Sequence, residues 1–246
     1  MPVILRNGPH DLGGMEGLGS IPIESNEEAQ QESWGRRTIS ATLAAVVPGM
    51  LSPPTHRAIM QAVHPVAYMS MSHYELWLYA LEQQAVASGV LTQDEIETRV
   101  ATVLANPSTP MPQDRNPVII AGVRDLLSQG APLGPETLEK PPRFVPGDLV
   151  RTKRIPARQD ELSHTRLPGY AQQRVGVVAE VRRPMVLEDV VVAAGEVQFE
   201  HVYALRLQAR DIWPDADRGN SVIIDVWESY LEEETRSVNH LFEEEL

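Results

Sequence analysis

Two arginines are the first residues to weigh for chemistry. Arg57 lies in SPPTHRAIMQAVHP, followed by the apolar pair Ala58 and Ile59, and Arg166 lies in SHTRLPGYAQQRVG, a loop bracketed by proline and glycine. A guanidinium is always charged and presents a planar fork of donors, so either residue could hold an anionic oxygen. Their local spacing alone reads as surface or interface ion pairs.

Other reactive groups are more restricted. The chain has no cysteine, which excludes disulfides, thiolate nucleophiles and zinc–cysteine sites within it. Its seven histidines form no H-x-x-x-H or H-E-x-x-H pair on a helix turn. They read as surface or core histidines. The glycine-rich stretch DLGGMEGLGSIPIES, residues 11–25, invites a phosphate-loop reading. A phosphate loop needs a Lys-Ser/Thr pair after its last glycine. Here Ser20, Ile21 and Pro22 follow Gly19, and no lysine occurs in the first half of the chain. The segment therefore reads as an extended arm, with Leu12, Met15, Leu18, Ile21 and Ile23 spaced between the glycines.

Composition narrows the class further. With 246 residues, 42% of them hydrophobic, the chain can bury a real core. A net charge of −13 argues against unaided binding to nucleic acid or to an anionic membrane. No apolar run reaches transmembrane length and no signal-peptide pattern opens the chain, so a soluble cytoplasmic protein is expected.

The elements that must position the arginines fall into two halves. Residues 27–47 carry apolar residues at three- and four-residue spacings and predict a helix. Ser52 before Pro53 opens a short helix over about 53–63, stopped before Pro65. Ser72 caps a longer helix that ends at Gly89, and Thr92 with Glu95 forms a capping box for the next. Asn116-Pro117 opens a last helix that ends at Gly130. Residues 131–146 contain five prolines and read as a linker. Beyond them the period becomes two: DLVRTK, RVGVVAEV, HVYALRLQ and SVIIDVW predict short strands, which usually close into a small barrel. The expected fold is α+β and multidomain. It comprises an extended arm (1–25), a helical domain (26–130), the linker (131–146), a small SH3-like β-barrel (147–232) and an acidic tail (233–246).

Several motifs, taken in order across nearly the whole chain, resemble the β subunit of nitrile hydratases. They are DLGGMEGLG, ESW with Trp34, Arg57 followed by Pro65 and Tyr68, FVPGDLVR, HTRLPGY, RVGVV, DIW and WESYL. The resemblance implies an α partner whose cysteine-rich claw holds low-spin Co(III) or Fe(III), with two cysteines oxidised to sulfenic and sulfinic acids. This chain would bind no cofactor itself. By position, Arg57 and Arg166 would reach across the interface and hydrogen-bond to the oxidised sulfur oxygens. The glycine-rich arm would lie along the α subunit. Assembly of αβ pairs into an (αβ)2 heterotetramer is left open.

The chain also departs from the family pattern. His73-Tyr74 stands where two aromatics are common, and His56 precedes the first arginine where an apolar or aromatic pocket wall is usual. Thr42 and Pro53 fall near the usual apolar pocket. Thr42, Pro53, His56, His73 and Tyr74 are therefore expected as substrate-pocket residues, more polar than usual and suited to small polar or anionic substrates. The alternative is that the histidines simply pack at the α–β interface. Two other functions are weighed: a thiocyanate hydrolase-like enzyme with the same cobalt centre, and a noncatalytic metallochaperone. In the first the two halves are usually separate chains. The second is typically short and basic and lacks the helical half.

Overall fold

The computed structural model describes residues 7–13, 19–20, 33–111, 115–130, 134–155 and 164–234. The chain divides into two compact units, one formed by residues 21–132 and the other by residues 1–20 together with 133–246.

The first unit is helical. It comprises α1 (Ser33–Val46), α2 (Pro53–Gln61), α3 (Pro65–Ser70), α4 (His73–Ala87), α5 (Gln93–Ala105) and α6 (Pro117–Gln129). The caps that sequence predicts are made. Ser72 and Thr92 each complete a capping box, with Glu75 and Glu95 respectively. Asn116 Oδ1 accepts from the Val118 and Ile119 amides. Such a cap satisfies amides that a helix start leaves orphaned. One element differs from expectation. Pro65 does not merely end the second helix; it opens α3, because proline needs no amide partner at a first helical position. Residues 27–32 of the expected first helix lie outside the described residues.

Helix α4 presents Leu76, Ala80 and Gln84 on one face at four-residue spacing, and all three are buried. Helix α2 packs against this helix. The fully buried Ala58 and Ala80 leave little side chain to hold α2 and α4 apart. Gln84 also grips the start of α2. Its Oε1 accepts from the Ser52 amide and its Nε2 donates to the Ser52 carbonyl, both at 3.2 Å. A buried side-chain amide that satisfies both backbone groups fixes the entry of α2, and so the residues one turn later.

The second unit is built on an antiparallel sheet of β1 (Leu149–Thr152), β2 (Val175–Val186), β3 (Phe199–Gln208), β4 (Ser221–Trp227) and β5 (Leu231–Glu233). Two short helices, α7 (Glu188–Ala194) and α8 (Ala209–Ile212), interrupt it. Strand order is β4-β3-β2-β1-β5. Among the described residues no ladder joins β4 to β5, so the sheet is open where closure into a barrel is expected. The pairing of β2 with β3 shifts register twice, between Val178 and Glu180 and between Arg182 and Met185. Such irregularities bend a strand and increase its twist. Val150, Val178, Val202, Leu205, Leu207 and Leu231 form the centre of the core. The tail beyond residue 234 lies outside the described residues.

Residues 7–13 pack on this same unit. Asn7 Nδ2 donates to the Leu167 carbonyl and Gln172 Nε2 donates to Asn7 Oδ1, each at 2.9 Å. The Gly169 amide donates to Asp11 Oδ2, also at 2.9 Å. A Cβ at Gly13 would stand 2.7 Å from two ring carbons of Tyr170, so only glycine lets the chain pass there. The first glycine of the DLGG pair thus serves a close approach within this chain. Gly14, Met15, Gly17 and Leu18 lie outside the described residues. Tyr170 is itself stacked on Trp213, with ring centroids 5.8 Å apart, and cannot simply swing aside. Gly13→Ala should therefore cost about 1–3 kcal/mol by overpacking, read as a lowered thermal midpoint. An unchanged midpoint would show that the Tyr170 ring yields freely.

Candidate functional site

Arg57 and the pocket residues belong to the helical unit. His56 sits one turn into α2, is only 4% exposed, and faces α4. Its ring lies edge-on to Trp77, with centroids 5.5 Å apart. Neither of its ring nitrogens has a hydrogen-bond partner among the described residues, and Trp77 Nε1 also lacks one. Burial, reinforced by the neighbouring Arg57 charge, lowers the His56 pKa to about 4. The imidazole is therefore neutral near pH 7, and offers one donor and one acceptor. Arg57 is partly buried beside it.

A continuous chain of ring contacts runs on from His56. Trp77 meets His73 at 5.6 Å and Tyr74 at 6.3 Å. Tyr74 meets Trp34 of α1 at 6.5 Å, edge to face. Gly35 makes room for this, since a Cβ there would lie 2.9 Å from Tyr74 Cδ2. The structure thus joins three of the expected pocket residues, His56, His73 and Tyr74, into one aromatic wall. It adds Trp77, which sequence reasoning missed. The signal was available: Trp77 stands four residues after His73 on the same helix, and residues so spaced share a face. Thr42 and Pro53 do not share these ring contacts. Thr42 is buried on α1 with its hydroxyl donating to the Thr38 carbonyl at 2.9 Å. Pro53 is exposed at the first position of α2.

Arg166 belongs to the sheet unit, and residues 164–169 around it are fastened on both sides. The Arg166 amide donates to the Tyr230 hydroxyl at 3.2 Å. That hydroxyl in turn donates to Asp189 Oδ1 at 2.5 Å. Burial raises the Asp189 pKa, and burial together with the Asp189 charge raises that of Tyr230. His164 Nε2 pairs with Glu188 Oε2 at 2.8 Å. Leu167 is 1% exposed and anchors the loop in the core. Arg166 itself is exposed, and its guanidinium has no hydrogen-bond or ion-pair partner among the described residues. A fixed backbone carrying an unengaged fork of donors is suited to an anionic acceptor on another molecule.

Among the described residues no three His, Cys, Asp or Glu side chains come together as metal ligands. Among them, too, no helix is long and apolar enough to cross a membrane.

Comparison with known proteins gives a consistent picture. A family model described as nitrile hydratase beta subunit, N-terminal, matches residues 6–118, and its C-terminal counterpart matches residues 135–233. The low-molecular weight cobalt-containing nitrile hydratase subunit beta of Rhodococcus rhodochrous is 31% identical over 229 residues, 92% of this chain and 98% of its own length. The cobalt-containing nitrile hydratase subunit beta of Pseudonocardia thermophila is 28% identical over 92% of this chain and 96% of its own. A solved recombinant apo-enzyme chain of thiocyanate hydrolase from Thiobacillus thioparus is 24% identical over 37% of this chain and 76% of that one, with a TM-score of 0.33. That last likeness is too slight to bear on function.

Proposed function

This chain belongs to the nitrile hydratase β-subunit family, a subunit of a heteromeric enzyme that adds water to a nitrile to give an amide, and from that premise we propose how its residues serve the reaction. The metal is assigned to the α partner, as cobalt by the names of the two relatives. Bound there, it supplies Lewis acidity toward the nitrile.

This chain contributes two guanidinium forks. Arg57 and Arg166 donate to the oxygens of oxidised cysteine ligands in the partner. Such groups are anionic acceptors, and a bidentate donor fixes their orientation and tunes the ligand they belong to. The observation that carries this reading is the exposed Arg166 guanidinium, unengaged among the described residues, on a loop tied down at its own backbone. His56, His73, Tyr74 and Trp77 form one wall of the substrate pocket. His73 is exposed and Tyr74 half-buried, so the accessible polar atoms of that wall are theirs, and a small polar nitrile fits it. The N-terminal arm, residues 1–25, contacts the α subunit. The open sheet is a variant of the SH3-like barrel, and the enzyme is cytoplasmic. The αβ pair is the working unit, and association into an (αβ)2 heterotetramer would double its mass in light scattering.

The test is made on the purified αβ complex and on this chain alone. The complex should retain about one metal per αβ pair and convert small polar nitriles faster than aromatic ones. The isolated chain should be inactive and metal-free. Faster turnover of thiocyanate than of any nitrile would overturn the assignment, as would stoichiometric cobalt or iron on the isolated chain.

A further inference from the structure

We propose that Asp11 is a positioning residue for Arg166, acting through the loop that carries it; this rests on the reading that Arg166 serves the reaction. Asp11 is buried, with 7% of the residue exposed. One of its oxygens, Oδ2, receives two backbone amides, Gly169 at 2.9 Å and Asn7 at 3.0 Å. A carboxylate is buried at a cost that only such bonds offset. Each amide has a distinct consequence for the loop.

The Gly169 amide lies three residues beyond Arg166, just past the buried Leu167, and its bond ties the far end of the loop. The bond to the Asn7 amide sets the second tie. The Asp11 amide donates to the Gly8 carbonyl at 3.1 Å, closing a turn over residues 8–11. The turn and the carboxylate together aim the Asn7 side chain at the loop. There its Nδ2 holds the Leu167 carbonyl while its Oδ1 accepts from Gln172. Gln172 in turn accepts the Ile155 amide at 3.0 Å, beyond the end of β1. On the near side the Arg166 amide is held by Tyr230. Arg166 is thus held from behind by Tyr230 and from ahead by Asp11 and Asn7, with its guanidinium outside. Removing the carboxylate frees the forward half of this mounting and leaves the Tyr230 half in place.

The experiment compares Asp11→Ala, Asp11→Asn, Arg166→Lys and the double variant Asp11→Ala/Arg166→Lys in the assembled αβ enzyme. Turnover is normalised to bound metal, and amide exchange is followed over residues 164–172. Asp11→Ala should speed exchange at Gly169 and lower kcat by about 10-fold with KM unchanged, the scale expected of a partner that orients a ligating group. Asp11→Asn keeps an acceptor oxygen and should recover most of the loss. In the Arg166→Lys background Asp11→Ala should cost nothing more, because both changes act through one group. Asn7→Ala, a milder change, should move kcat and exchange in the same direction if Asp11→Ala does not assemble. Unchanged kcat in Asp11→Ala, or the same loss with and without Arg166, would sink the role of Asp11 while leaving that of Arg166 intact. Full turnover in Arg166→Lys would instead sink the reading of Arg166, and this proposal with it.

Discussion

Replacing Arg57 or Arg166 with lysine should lower turnover of the assembled enzyme by about 10–100-fold, the usual scale for losing a group that orients a metal ligand. Lysine keeps the charge, so long-range electrostatics and α–β association change little. What it loses is the planar fork. An ammonium is a compact, strongly hydrated point charge and cannot grip two oxygens in a fixed plane. The two positions should respond differently in detail. Arg166 projects from a loop whose backbone is already fastened, so its variant should keep a wild-type thermal midpoint. Arg57 is partly buried next to His56 and contributes to that residue's lowered pKa, so its variant should also disturb the aromatic wall. Gel filtration, metal content and kcat on the same preparations separate assembly from chemistry. Near-wild-type turnover in both variants would refute the assigned role.

His56→Phe should stabilise the protein, by about 1–3 kcal/mol at pH 7, the desolvation cost of polar atoms buried without partners. Both ring nitrogens of His56 are in that condition, and phenylalanine fills nearly the same space without them. Acid sensitivity should fall as well. Folding lowers the His56 pKa from 6.5 to about 4, so the unfolded chain takes up a proton that the folded one refuses. The penalty is absent above pH 6.5, grows as pH falls toward 4, and is constant below. The thermal midpoint of His56→Phe should therefore drop less between pH 7 and pH 5 than that of the native chain. A lower midpoint at pH 7, with the same acid slope, would mean that the histidine nitrogens are well accommodated.

Much of the fold was legible in local chemistry. Capping boxes at Ser72 and Thr92, and the Asn116-Pro117 start, depend only on neighbours in sequence, and they appear where spacing put them. The period-two segments became β1 to β4 for the same reason. What remained hidden depends on distant partners. Strand β5 has only three residues and exists because β1 offers it an edge. Whether the sheet closes depends on cumulative twist, to which no single residue speaks. At the candidate site, His56, His73 and Tyr74 were identified from departures in a family pattern, and their contact through Trp77 needed the packing of α2 on α4. The family resemblance extends over the helical half as well as the sheet, which distinguishes this chain from a barrel-only metallochaperone.

The tie between Asp11 and Gly169 spans 158 residues of sequence. A ribosome makes the early half of that contact well before the late half, and contacts so distant form slowly because a long loop must close first. Residues 7–13 must therefore wait, unmatched, through most of synthesis. The mounting of Arg166 is completed only when Tyr230, which lies beyond β4, has left the exit tunnel. Until then a nascent chain can already own its helical unit and yet present no finished arginine fork, so a partner docking through that fork would be confined to fully synthesised chains.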